Sequence, residues 1–88
     1  MQVVSARVTE LVGFHARPAA VAVTQAGRFK CSVELRYKDQ TADMKSIIQI
    51  MKMGIPWDAQ IEICCAGEDE EEAAEAIGRT MREKGLIE

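Results

Sequence analysis

His15 is the only histidine in the chain, and it stands in the run Gly13-Phe14-His15-Ala16-Arg17-Pro18. Proline suits the first turn of a helix, because its φ is preset and its missing N–H would be unpaired there anyway. The run therefore places an imidazole just ahead of a helix start, with a guanidinium two residues on. Backbone N–H groups at such a start have no intrahelical partner and face any anion laid on them. The positive end of the helix dipole disfavours an imidazolium, and a neutral imidazole is a nucleophile. Arg17 adds a planar, charge-assisted fork for phosphate or carboxylate. A nucleophile, a fork and a helix start suit taking and returning a phosphoryl group, where positioning and charge neutralisation do most of the work. On chemistry alone, a passive anion site or a plain surface histidine fits the same residues.

Three other groups invite a chemical reading. Ser46 precedes an apolar run and is a good helix N-cap, worth about 1 kcal/mol. It is also a candidate phosphorylation site, since a phosphate is tolerated at a helix N-terminus. The segment after it carries Ile47, Ile48, Ile50, Met51 and Met53, too many for one core stripe. Some of Ile47, Ile48 and Met51 are expected to face outward as a docking patch. The acidic run from Glu68 to Glu72 lacks the spacing of a calcium loop and reads as a solvated first helical turn. Cys31, Cys64 and Cys65 show no C-x-x-C spacing, and neighbours in a strand point to opposite faces. No metal site is expected, only reduced thiols at core and surface positions.

The elements that hold these residues follow from periodicity. Residues 2–8 alternate, with Val4, Ala6 and Val8 on one face of a strand. A loop through Leu11–His15 leads into a helix that starts near Pro18, ends at Gly27 and is apolar on most sides, hence largely buried. Cys31, Val33, Leu35 and Tyr37 alternate with polar residues in a second strand. Lys38–Gln40 turn the chain into a short returning strand over Thr41–Met44. Ser46 opens a short helix ending at Gly54. A loop containing Pro56–Asp58 leads to a last strand around Ile61, Ile63 and Cys65. Asp69 and Glu72 have the spacing of a capping box for a final helix. That helix has a core stripe of Ala73, Ala74, Ile77 and Met81, and Gly85 stops it.

The order β-α-β-β-α-β-α predicts one α+β domain over residues 1–88, an antiparallel sheet with helices on one face and the other face wet. The chain has 88 residues, a net charge of −3 and 5% aromatic content. Those values offer no electrostatic footprint or stacking platform for nucleic acid. No stretch approaches the ~20 apolar residues of a membrane span, and no leader is expected.

The run Gly13–Pro18, taken with Met44-Lys45-Ser46-Ile47-Ile48-Gln49-Ile50-Met51-Lys52-Met53-Gly54-Ile55, resembles the histidine-containing phosphocarrier protein HPr of the bacterial phosphoenolpyruvate:sugar phosphotransferase system. The likeness covers essentially the whole chain without gaps. It implies an open-faced β-sandwich, a four-stranded antiparallel sheet under three helices. It implies that His15 accepts phosphate from Enzyme I through Nδ1, with Arg17 beside it, and passes it to sugar-specific acceptor domains. Ser46 is the implied target of an HPr kinase/phosphorylase, and the serine-phosphorylated form would act as corepressor with a catabolite-control transcription regulator. Phe14, Ile47, Ile48 and Met51 are the implied docking residues. A monomeric cytoplasmic carrier without cofactor follows, not an enzyme. Val12, Ala20, Gln49 and Trp57 depart from the usual pattern and bear on partner choice, not on transfer. The competing reading is a regulatory paralogue that keeps the serine and lacks the histidine. The presence of His15 argues against it.

Overall fold

A computed structural model describes all residues 1–88. Seven elements follow in the expected order: β1 (Gln2–Arg7), α1 (Ala16–Ala26), β2 (Ser32–Tyr37), β3 (Gln40–Asp43), α2 (Ile47–Lys52), β4 (Gln60–Ala66) and α3 (Glu70–Glu83). The four strands form one sheet in the order β1-β4-β2-β3. β4 is antiparallel to both β1 and β2, so those two run parallel with β4 between them. β2 and β3 make a hairpin, with Lys38 of its turn at φ 55°.

The register explains why one face is buried. Val4 opposes Ile63 and Ala6 opposes Ile61 across β1 and β4. Val33 opposes Cys65 and Leu35 opposes Ile63 across β2 and β4, and Leu35 opposes Ala42 across β2 and β3. The apolar alternates of every strand thus meet on one side, where a one-residue slip would turn them to water. Ile77 and Met81 of α3 join them, both fully buried. The other face carries Ser5, Arg7, Glu34, Arg36 and Glu62, as the alternation requires.

Two expectations about helices need correction. α1 is not buried on most sides: Pro18, Ala19, Ala22 and Ala26 are buried, while Ala20 and Thr24 face solvent and Val21 and Val23 lie between. Alanine is small enough to occupy either side, so its abundance does not mark a buried face. The helix also begins two residues earlier than Pro18, which still falls within the first turn.

The second correction concerns caps. Asp69 and Glu72 form no capping box; Asp69 is the N-cap residue of α3, but its side chain makes no cap hydrogen bond. Its carboxylate accepts the N–H groups of Lys30 and Cys31, both at 2.9 Å. Those donors hold the Asp69 carboxyl below its ordinary range, the Lys30 N–H most strongly. Two unpaired donors entering β2 from a distant part of the chain compete better than one at the helix start. Half of such a box appears at α2, where the Ser46 N–H is taken by the Asp43 carbonyl and not by the Gln49 side chain. The Gln49 N–H donates to Ser46 Oγ at 3.3 Å, and Gln49 Oε1 reaches back to accept the Asp43 N–H at 2.9 Å. A six-residue helix is too short to stand alone. These caps and the fully buried Ile50 hold it in place.

Gly85 ends α3 as expected, at φ 72°. The Gly85 N–H donates to the Arg82 carbonyl and the Leu86 N–H to the Met81 carbonyl, each at 3.0 Å, which is the Schellman pattern. The chain then returns to the sheet: Ile87 bridges to Val8. All three cysteines are buried, none at the surface. Cys65 faces the core and burial pushes its thiol up to about 11, which leaves it a poor nucleophile at neutral pH. No group of three His, Cys, Asp or Glu side chains is arranged to hold a metal.

Candidate functional site

The loop that presents His15 is set by hydrogen bonds to the loop before β4. The Asp58 N–H donates to the Val8 carbonyl and the Val8 N–H to the Ala59 carbonyl, both at 2.9 Å. Further along, the Phe14 N–H donates to the Ile55 carbonyl at 3.0 Å. Gly13 has φ +75°, and a Cβ there would lie 2.3 Å from that same Ile55 oxygen. Only glycine allows both the left-handed backbone and this close approach.

Phe14 is 4% exposed and belongs to the core. This corrects its expected place among the docking residues: its ring is spent on anchoring the loop and offers almost no surface to a partner. An aromatic side chain next to a short loop contributes more by burial than by exposure.

His15 itself is the N-cap of α1, with extended backbone at φ −81° and ψ −166° and no side-chain cap hydrogen bond. Its carbonyl accepts the Ala19 N–H at 3.1 Å. The N–H groups of Ala16 and Arg17 make no intramolecular hydrogen bond, and Pro18 has none to offer. The imidazole is 36% exposed, its Nε2 lying 3.5 Å from Glu10 Oε1, at the outer limit of a hydrogen bond. A carboxylate at Nε2 favours the proton on that nitrogen and the lone pair on Nδ1. Arg17 donates to the other oxygen of the same carboxylate, Glu10 Oε2, at 3.1 Å. The structure therefore brings His15 and Arg17 together, as their spacing suggests, but through Glu10. Nothing local in the sequence marks Glu10 as part of this site. It sits in a loop where no periodicity marks which way a side chain turns.

Beside this loop, α1 packs on α2. Ile48 is 65% exposed, Met51 46% and Ile47 37%, so the expected apolar patch on α2 is present. Leu11 at 80%, Val12 at 72% and Trp57 at 51% are also exposed, on the two loops joined by the Phe14–Ile55 hydrogen bond. Loop positions have no periodicity that would mark these three as exposed. Ser46 is partly exposed at the head of α2.

A family model describing the phosphorylation site of the HPr component of the phosphotransferase system matches residues 4–83. The chain belongs to the HPr family. Solved relatives agree. A histidine-containing phosphocarrier protein of Mycoplasma is 34% identical, with a TM-score of 0.95 over 99% of both chains. A phosphocarrier protein HPr of Bacillus anthracis is 36% identical, with a TM-score of 0.77 over 90% of this chain and 96% of that one. Crh of Bacillus subtilis, described as a catabolite repression protein in a swapped dimer, is 33% identical, with a TM-score of 0.74 over 90% and 91%. This HPr-family chain is thus a phosphocarrier that works among the proteins of the phosphotransferase system, not a catalytic enzyme. Its sheet and three helices are those of the HPr fold. No helix is long and apolar enough to cross a membrane.

Proposed function

We propose that the chain takes a phosphoryl group from phospho-Enzyme I onto His15 Nδ1 and passes it to sugar-specific acceptor domains, as a cytoplasmic monomer. The observation that carries this reading is the arrangement at His15: a part-exposed imidazole with Glu10 at Nε2, set at a helix start whose first N–H groups have no partner. The Nδ1 lone pair forms the N–P bond. The bond from phosphorus to the donor atom breaks, and its electron pair leaves on the donor. Delivery to the acceptor is the same displacement with His15 as the leaving group. Arg17 neutralises charge on the phosphoryl oxygens as they pass.

Arg17→Ala should keep the fold and slow transfer by roughly tenfold to a hundredfold, at or below the loss from removing an enclosed oxyanion donor. Arg17 is 64% exposed, so solvent screening favours the lower end. Arg17→Lys should recover part of the rate, with a point charge but no planar fork. Rapid-quench kinetics with phospho-Enzyme I check this. A wild-type rate for Arg17→Ala would assign the charge neutralisation to the backbone N–H groups alone.

Ser46 is proposed as the regulatory site, for an HPr kinase/phosphorylase where the host has one. A phosphate there adds about −1.5 to −2 charges at neutral pH, at the head of the helix that exposes Ile47, Ile48 and Met51. By resemblance, Enzyme I meets HPr with an acidic surface, so docking should weaken while the fold stays intact. Ser46→Asp, with about one charge, keeps an acceptor for the Gln49 N–H. It should melt no lower than wild type and be phosphorylated more slowly by Enzyme I, with recovery at high salt. A marked drop in melting temperature, or slowing insensitive to salt, would count against repulsion at the docking face.

The similarity to Crh favours a second reading, in which the serine-phosphorylated chain acts mainly as corepressor with a catabolite-control transcription regulator. His15 favours the carrier reading, and phosphorylation by Enzyme I separates the two.

A further inference from the structure

We propose that Glu10 is a positioning residue for phosphoryl transfer: an internal counter-ion that holds Arg17 in the resting chain and gives it up when His15 is charged. The inference rests on the reading of His15 as the carrier. Glu10 is 17% exposed, while the Arg17 side chain it binds is 64% exposed. The carboxylate is therefore the fixed partner and the guanidinium the one free to move. One Glu10 oxygen faces His15 Nε2 and the other accepts from Arg17. These are the two side chains that the transfer chemistry uses. Met1, Arg7, Arg36 and Arg79 pair with carboxylates other than Glu10.

In the resting chain the carboxylate occupies the place an anion would take on the guanidinium. A phosphoryl group on Nδ1 carries up to two negative charges and competes for the same fork. Arg17 must turn from Glu10 to the phosphoryl oxygens, or divide its donors between them. Glu10 then faces a like charge across the imidazole with its own counter-ion withdrawn. Both effects stabilise the uncharged carrier relative to the charged one. They lower the affinity of His15 for the group, which is what a carrier that must hand it on requires. Glu10 exchanges no proton and forms no bond in this scheme. It acts through the position of Arg17.

The test is the equilibrium constant for phosphoryl exchange between Enzyme I and this chain, measured with wild type, Glu10→Gln, Arg17→Ala and the double variant. Glutamine keeps the size and the acceptor and removes the charge. Glu10→Gln should shift the equilibrium toward the phosphorylated chain by roughly two- to fivefold, the range of a part-exposed ion pair. In the Arg17→Ala background the same substitution should shift it less. A merely structural Glu10 would alter stability and leave this constant unchanged. An unchanged constant, a shift toward the unphosphorylated chain, or a full shift in the Arg17→Ala background would overturn the role given to Glu10. If neither wild type nor Glu10→Gln takes label from Enzyme I, the carrier reading itself fails.

Discussion

His15→Ala should fold as the wild type does and accept no phosphoryl group from phospho-Enzyme I. The ring is part-exposed and its side chain caps nothing. The backbone groups that shape the loop, the His15 N–H on the Gly13 carbonyl and the His15 carbonyl on the Ala19 N–H, survive truncation. A surface substitution of this kind changes stability by about 0.5 kcal/mol or less. The chemical loss is total, because no other imidazole exists in the chain. The three thiols are buried and held protonated. Radiolabel transfer from phosphoenolpyruvate through Enzyme I, beside a thermal melt, reads both halves. An acid-labile phosphate on the variant at the wild-type level would remove His15 from the account.

Gly13→Ala should cost this chain a large part of its stability. At φ +75° an L side chain costs about 1–2 kcal/mol. The new Cβ would also lie 2.3 Å from the Ile55 oxygen, so that backbone must shift. Moving it strains the hydrogen bond from the Phe14 N–H, worth about 1 kcal/mol. A total of about 2–4 kcal/mol is a large part of the ~5–15 kcal/mol that holds an ordinary domain. Gly54→Ala is the control. It has a similar φ of 62° but nothing within 4 Å of its Cβ, so only the backbone cost applies. Urea unfolding should place Gly13→Ala well below Gly54→Ala, with slower phosphorylation of His15 in the former. Equal midpoints for the two would mean that the Ile55 contact does not fix the loop.

What was legible in the sequence had a period or a local rule behind it. The alternation through Val33, Leu35, Ile61 and Ile63 marked the inward face because a strand admits two sides only. The α3 stripe of Ala73, Ala74, Ile77 and Met81 followed from helical spacing, and each of the four is buried. His15 and Arg17 stood out because a lone imidazole and a guanidinium share a helix start. The misplaced features depend on residues far apart in the chain. Phe14 stood among the docking residues through the resemblance alone, and a loop has no periodic inside to mark its ring as buried. The carbonyl of Ile55, 41 residues further on, draws its backbone inward (55 − 14 = 41). Asp69 looked like half of a capping box, but the Lys30 and Cys31 N–H groups lie 39 and 38 residues away and take its carboxylate. Glu10 had no local signature at all. Its carboxylate becomes part of the site only when the loop folds back and sets it between His15 and Arg17.

The central claim is that His15 carries the phosphoryl group, and one measurement addresses it most directly. The wild-type chain is incubated with phosphoenolpyruvate and Enzyme I, and the product is examined by phosphorus NMR and by peptide mass spectrometry under alkaline conditions. The account predicts one phosphate per chain, on His15, with the shift of a phosphoimidazole bonded at Nδ1 and loss of the label in acid. No incorporation, or an acid-stable phosphate on a hydroxyl residue such as Ser46, would contradict it.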